Sequence, residues 1–230
     1  MKVGALFTGG KDSTYSAFLA GKENEVVCLM NMYSENKDSY MFHTVGSSLL
    51  EMQAEALSIP LERHKTKGIK EEELSDLKEF ISEIKERYKI EGIVSGALAS
   101  EYQYKRINNI LKELNLASIT PLWHVDVESY LKNLINDGFH AIIVSVSADG
   151  LDQSWLGKEI NGENLARLID LSRKYRFNLG FEGGEAETAV LDGPNFKYGI
   201  EIEKSSIVID GGKAYLSIEK AIKRTPLFKK

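Results

Sequence analysis

Thr8-Gly9-Gly10-Lys11-Asp12-Ser13 follows a short apolar run, Lys2 to Phe7, and precedes Thr14-Tyr15-Ser16-Ala17-Phe18-Leu19-Ala20, which reads as a helix. A strand, a glycine turn and a helix N-terminus together make an anion site. Backbone N–H groups of the first helical turn have no carbonyl partner within the helix, and the helix dipole favours negative charge there. Gly9 and Gly10 let the main chain come close to a ligand and take positive φ. Lys11 adds a movable positive charge, and Thr8 and Ser13 add hydroxyl donors. The natural ligand of such a loop is a phosphate group. Spacing separates the known kinds. The common nucleotide loop, G-x-x-x-x-G-K-[ST], would need Gly at 5 and Ser or Thr at 12, where the chain has Ala5 and Asp12. The dinucleotide pattern G-x-G-x-x-G does not open here either.

Around this loop the first half alternates strand and helix patterns. Val3–Phe7, Val26–Met32, Ile59–Glu62, Gly92–Ser95 and about Ser118–Leu122 are short apolar segments suited to buried parallel strands. Between them, Leu74, Leu77, Ile81, Ile84 and Tyr88 recur every three or four residues on one helical face. Val45–Leu57 and Ser100–Leu114 are further helix patterns. Alternating βαβ units predict a doubly wound α/β fold with a mainly parallel, Rossmann-like sheet. With strand order 3-2-1-4-5, the loops after strands one and four flank the crevice where ligands bind, so 8–13 and 95–103 are expected to face one another.

The pattern changes near Trp123. Asp126 caps a helix with Val127, Tyr130, Leu131, Leu134 and Ile135 on its apolar face. His140–Val146 reads as a strand and Asn161–Tyr175 as a helix. Tyr198, Ile200 and Ile202 alternate with polar residues. Ile207–Ile209, Asp210-Gly211-Gly212-Lys213 and Ala214–Leu216 read as a hairpin. The expected organisation is a nucleotide-binding domain over residues 1–120 and a smaller C-terminal α+β domain over 121–230.

Two further constellations carry chemistry. In Ser95-Gly96-Ala97-Leu98-Ala99-Ser100-Glu101-Tyr102-Gln103-Tyr104-Lys105-Arg106, Gly96 allows close approach to a nucleotide, and Gln103 and Arg106 share a helix face. A solvated helix capped by Ser100 is the plainer account. In Glu182-Gly183-Gly184-Glu185-Ala186-Glu187-Thr188, three carboxylates crowd a Gly-Gly turn. They need something positive among them: magnesium, a basic side chain or a cationic substrate. The plainer account there is a solvated acidic loop.

Composition excludes several classes. The 230 residues carry a net charge of −5, which argues against a nucleic-acid surface. No apolar run is long enough to span a membrane, and Lys2 leads straight into the first strand, leaving no room for a signal peptide. The single Cys28 excludes a disulfide framework and suits a reducing, cytoplasmic compartment. The four His show no metal spacing.

The loop at 8–13 resembles the pyrophosphate loop, S-G-G-x-D-S, of the ATP pyrophosphatase superfamily, with Thr8 in place of Ser. Taken with G-A-L-A-S-E-Y-Q-Y-K-R, P-L-W at 121–123 and E-G-G-E-A-E-T, the chain resembles the diphthine–ammonia ligase family, in the same order from residue 1 to about 195. Ala186 stands where that family often has an aromatic residue, and Phe181 where a small one is common. The resemblance implies an adenine nucleotide α-hydrolase-like fold and an ATP-dependent, AMP-forming ligase. That enzyme amidates diphthine on elongation factor 2 to diphthamide, with ammonium as nitrogen source. With that resemblance, the residue chemistry above is expected to bring ATP to Thr8, Gly9, Gly10, Lys11, Asp12, Ser13, Gly96 and Gln103, with Asp12 a candidate Mg2+ ligand. Catalysis falls to Lys11, Asp12, Glu185 and Glu187. Substrate falls to Tyr102, Arg106, Glu182, Glu185 and Thr188, with Trp123 and Trp155 as possible ring faces for its quaternary ammonium. Thiolating relatives need more cysteines and glutamine-dependent ones a cysteine nucleophile. Cys28, inside an apolar strand, serves neither, so free ammonium follows by elimination. No stable nucleic-acid partner and no membrane are expected, and a homo-oligomer stays open. Two other readings also stay open: a non-catalytic ATP-binding regulator, and an adenylating enzyme acting on RNA or a small carboxylate.

Overall fold

Five short apolar segments build one parallel sheet. β1 (Lys2–Leu6), β2 (Glu25–Ser34), β3 (Leu61–Thr66), β4 (Gly92–Val94) and β5 (Ala117–Ile119) lie in the order β3-β2-β1-β4-β5. Every neighbouring pair runs parallel. The order expected from the sequence is the order observed. It reverses between β1 and β4, so the loops leaving their C-terminal ends adjoin, as in other doubly wound sheets. Helices α3 (Glu72–Tyr88) and α4 (Glu101–Glu113) cover part of this sheet. Leu77, Phe80, Ile81 and Ile84 of α3 and Ile110 and Leu111 of α4 share one buried cluster with Cys28, Met30, Met32 and Ile93. The apolar stripe on α3 is therefore the stripe that packs. Ser100 stands at the N-cap of α4, but its side chain makes no capping bond.

The computed structural model describes residues 1–34, 49–67 and 72–227, without the side chains of Glu72 and Gln103. Among these residues the chain forms two compact units. One takes 1–8, 12–34, 59–67 and 72–123, and the other takes 9–11, 49–58 and 124–227. Helix α1 (Lys11–Ala20) thus begins at the last residue of the 9–11 segment and continues in the first unit.

The second unit is built on an antiparallel sheet. β6 (His140–Val146), β7 (Ala186–Asp192), β8 (Gly199–Asp210) and β9 (Lys213–Arg224) lie in the order β7-β6-β9-β8. The β8–β9 hairpin turns at Gly211 and Gly212, both at positive φ, which is why glycines occupy that turn. Helix α5 (Val127–Asn136) starts where expected: the Asp126 carboxylate accepts the Ser129 N–H at 2.9 Å. Helix α6 (Gly162–Tyr175) is capped by Asn161, whose side chain accepts the Asn164 N–H at 3.0 Å. Helix α2 (Leu50–Leu57) lies between β2 and β3 in sequence, yet belongs to this second unit. Leu49 and Met52 pack with Ile142 and Val144 of β6, Ala189 and Leu191 of β7 and Ile200 of β8. Residues 45–48, expected to begin this helix, lie outside the described residues. The reading of 182–188 as a loop needs correcting, because β7 begins at Ala186 and pairs with β6. Alternation is weak in that strand, since Ala189, Val190, Leu191 and Asp192 are all buried, and a strand covered on both faces loses its period of two.

Candidate functional site

In the first unit the flanks of the glycine loop are held by hydroxyls and by close backbone approach. The Thr8 N–H donates to Ser13 Oγ at 3.2 Å, and the two hydroxyls lie 3.1 Å apart. Ser13 is buried, while Asp12 is half-buried in the first turn of α1, where the helix dipole favours a carboxylate. Gly96, in the loop after β4, lies directly against this turn. A Cβ built on it would stand 2.8 Å from the carbonyl carbon of Asp12 and 2.8 Å from the nitrogen of Ser13. The loops after β1 and β4 therefore do adjoin, and only glycine fits at their contact. On α4 the Arg106 guanidinium lies 4.0 Å from the centroid of the exposed Tyr102 ring. Tyr104 stacks on Trp123 with centroids 4.0 Å apart and planes 13° from parallel. Gln103 sits in the first turn of α4, and its side chain lies outside the described residues.

In the second unit, Gly9–Lys11 are fastened to β7. Gly9 has φ +76 and its carbonyl accepts the Val190 N–H at 2.9 Å. The same carbonyl accepts from Gln53 Nε2 at 2.8 Å, and that nitrogen also donates to the Val190 carbonyl at 2.7 Å. The Lys11 N–H donates to Thr188 Oγ1 at 3.0 Å. Thr188, read from the sequence as a substrate contact, thus holds the loop. Lys11 is 1% exposed; its ammonium donates to the Gly180 carbonyl at 2.7 Å and lies 5.2 Å from the Phe181 ring centroid. A lysine read as a movable charge is here held by a carbonyl and an aromatic face, with Phe181 itself at φ +65. A left-handed conformation is uncommon for an aromatic residue and stores strain.

The acidic segment is largely self-satisfied. The Glu185 carboxylate accepts the N–H of Asn178 at 3.1 Å and of Gly183 at 2.8 Å. Gly184 turns at φ +84, and its carbonyl accepts from Ser147 Oγ at 2.6 Å. Glu187 pairs with Lys213 at 2.8 Å. Of the three positive partners the sequence allowed, a basic side chain is present for Glu187. Glu182 is half-buried beside the turn. Among the described residues no group of three or more His, Cys, Asp or Glu side chains is placed to hold a metal ion. Trp155 is a core residue, 3% exposed, with Lys158 and Arg167 over its ring at 5.2 and 5.1 Å. Burial pushes the Cys28 thiol up to about 12, which makes it inert, as its place in a strand suggests.

Gln53 and Lys213 escape a sequence reading. The signal for Gln53 is faint: an amide on the helix face shared with Leu50, Ala54 and Ala56. Lys213 carries none, because its pairing with Glu187 depends on β6 lying between β7 and β9.

A doubly wound parallel sheet with a glycine-rich anion loop at the β1–α1 junction defines a nucleotide-binding α/β protein. Residues 1–118 match the family model described as Diphthamide synthase N-terminal domain, and residues 126–224 the one described as Diphthamide synthase C-terminal domain. The chain belongs to the diphthamide synthase family. It is 37% identical over 238 residues to the diphthine–ammonia ligase of Rattus norvegicus, covering 95% of this chain and 89% of that protein. To the diphthine–ammonia ligase of Homo sapiens it is 36% identical over 240 residues, with the same coverage. Among solved structures it is similar to one described as a predicted subunit of tRNA methyltransferase from Methanocaldococcus jannaschii. That similarity has a TM-score of 0.44 and 17% identity, covering 84% of this chain and 98% of that one.

Proposed function

We propose that this protein is an ATP-dependent, AMP-forming ligase that converts diphthine on elongation factor 2 to diphthamide, taking nitrogen from free ammonium. The observation that carries the reading is that both halves match one family's models, with the 8–13 motif at the β1–α1 junction. ATP is a substrate. The diphthine carboxylate attacks the α-phosphorus, the bond to the β-phosphate oxygen breaks, and pyrophosphate leaves. Ammonia then adds to the acyl carbon of the adenylate, AMP departs, and the extra proton passes to a base.

The residues divide this work by chemistry. The glycine loop and the N-terminus of α1 favour the negative β and γ phosphates, where charge grows as pyrophosphate leaves. Thr8 and Ser13 hold the loop flanks and Gly96 lets the loop after β4 close on the backbone of the ATP loop, with Gln103 further along α4. Lys11 adds positive charge on release from the Gly180 carbonyl. Asp12 fits Mg2+, since that ion commonly takes one or two carboxylates and completes its shell with phosphates and water. Bound there, Mg2+ supplies electrostatic stabilisation of the leaving pyrophosphate. In this reading residues 1–120 serve as the ATP-binding domain and 121–230 as the substrate domain, although Gly9–Lys11 and 49–58 pack within the second compact unit. Glu182, Glu185 and Glu187 favour the quaternary ammonium of diphthine, and Glu185 or Glu187 takes the proton from ammonium. Tyr102 and Arg106 contact the modified histidine. Among the described residues no helix is long and apolar enough to cross a membrane. The single Cys28 suits a reducing, cytoplasmic compartment.

The test is product analysis with diphthine-bearing elongation factor, ATP and ammonium. AMP and pyrophosphate should form in step with amide, and glutamine should not replace ammonium. ADP as the sole nucleotide product would overturn the reading; nucleotide binding without turnover would favour a regulator.

A further inference from the structure

We propose that β8 is a self-association edge, at which two copies of this chain join their antiparallel sheets by pairing β8 with β8 across a two-fold axis at Ile207. β8 lies at one end of the order β7-β6-β9-β8. The two-residue turn at Gly211-Gly212, with both φ angles positive, makes Asp210–Lys213 a hydrogen-bonded pair. Pairing then alternates. Val208–Tyr215 and Ser206–Ser217 exchange bonds, while Ser205, Ile207 and Ile209 turn their N–H and C=O groups away from β9. Among the described residues nothing bonds to those outward groups. The same positions carry exposed apolar side chains, Ile207 at 49% and Ile209 at 68%. The opposite edge of the sheet is met by the chain itself: the Val190 N–H of β7 donates to the Gly9 carbonyl at 2.9 Å, and the Val190 carbonyl accepts from Gln53 at 2.7 Å. Soluble proteins blunt bare edges with lysine, proline or a bulge. In β8 those devices stop at Lys204, where the register with β9 shifts, and none lies between Ser205 and Ile209.

The occupant follows from register. Outward groups pair only with outward groups, so Ser205, Ile207 and Ile209 must meet their own kind in the second copy. Centred on Ile207, the register uses all of them: Ser205 faces Ile209, Ile207 faces Ile207, and Ile209 faces Ser205. Centring on Ser206 sets Ile209 opposite the irregular stretch at Glu203, and centring on Val208 sets Ser205 opposite the turn at Gly211. Directly opposed residues share a face, so Ile207 and Ile209 of the two copies close into one apolar row. Charge agrees with the same register, because Lys204 of each copy stands opposite Asp210 of the other, once at each end. Lys204 pairs with Glu219 of β9 and keeps a largely exposed side chain, so Asp210 is a second carboxylate for it. An isologous contact of this kind closes as a dimer and does not grow into a fibre. A foreign extended strand would meet the same backbone groups without these self-matched ends.

Sedimentation velocity over about 1–200 µM, with thermal unfolding as the check on folding, compares wild type, Ile207→Pro, Asp210→Lys and the double variant Lys204→Asp/Asp210→Lys. The wild type should pass from monomer to dimer as concentration rises. Proline at 207 removes only an outward N–H, so the hairpin keeps its own bonds, while the pair on the axis loses both donors. The dissociation constant should rise about 5- to 150-fold, as the loss of two hydrogen bonds predicts. Asp210→Lys sets lysine against lysine at both ends and should raise it about 2- to 30-fold. The double variant restores opposite charges and should recover most of that loss. A wild type that stays monomeric overturns the proposal. A dimer indifferent to both Ile207→Pro and Asp210→Lys joins elsewhere and also overturns it. Weakening by Ile207→Pro without rescue by the charge swap overturns the register centred on Ile207. If Ile207→Pro unfolds, the charge swap alone decides. A monomeric wild type whose binding of the elongation factor falls in Ile207→Pro assigns the edge to that partner instead.

Discussion

Replacing Gly96 by alanine probes the contact between the loops after β1 and β4 within the first unit. The added Cβ would lie 2.8 Å from the Asp12 carbonyl carbon and from the Ser13 nitrogen, and 3.0 Å from the Asp12 oxygen. These are backbone atoms of the nucleotide loop and cannot rotate aside as a side chain would. Ordinary contact begins at 3.4 Å, so relief needs a displacement of about 0.6 Å, a core overpacking of the kind that costs about 1–3 kcal/mol. Gly96 is not among the positive-φ glycines, so the penalty is steric alone. If the loop yields, it moves away from its phosphate-binding geometry. The same 1–3 kcal/mol then appears as roughly 5- to 150-fold weaker ATP binding. If β4 and its loop yield instead, the midpoint of thermal unfolding drops, by about 2–4 °C per kcal/mol at this chain length. Calorimetric ATP titration and nucleotide-free melting, run on one preparation, separate the two. A folded Gly96→Ala protein with wild-type affinity and wild-type melting would refute the reasoning.

Lys213→Ala removes the ammonium from Glu187, whose side chain is 15% exposed against 34% for the lysine. With solvent screening on the lysine side, urea denaturation should show a loss of about 1–3 kcal/mol, and Glu187→Gln in the same background should recover part of it. His140 is held below its ordinary value of 6.5 by burial; Glu159, 3.4 Å away, opposes this and Arg224 reinforces it, with Asp192 a smaller opposing charge. The folded state therefore binds its proton less readily than the unfolded chain. Stability should be full above pH 6.5 and fall as pH drops below it toward the folded value, as urea midpoints between pH 8 and 5.5 would show, and His140→Gln should flatten that slope. Cys28 should resist alkylation at pH 8 in the native protein and react once unfolded, given a thiol raised to about 12 by burial; rapid native labelling would contradict its buried place.

Much of the first unit is local information. Apolar runs, a glycine turn and the stripe Leu77, Ile81, Ile84 lie within a few residues of one another, and the right-handed crossover rule turns them into strand order 3-2-1-4-5. The caps at Asp126 and Asn161 and the turn at Gly211-Gly212 are equally local, since each involves φ angles or N–H groups a few positions away. Family membership was legible too, because the motifs at 8–13, 95–106 and 182–188 keep their order along the chain. Only the tertiary structure decided what holds the middle of the loop. Gly9–Lys11 are fastened by Gln53, Val190, Thr188 and Gly180, and Glu187 finds its cation in Lys213 across a sheet. Those partners lie tens to well over a hundred positions away in sequence. Hydrogen bonds over such separations leave no periodicity in the chain, because their geometry exists only once β6, β7, β9 and α2 have packed together.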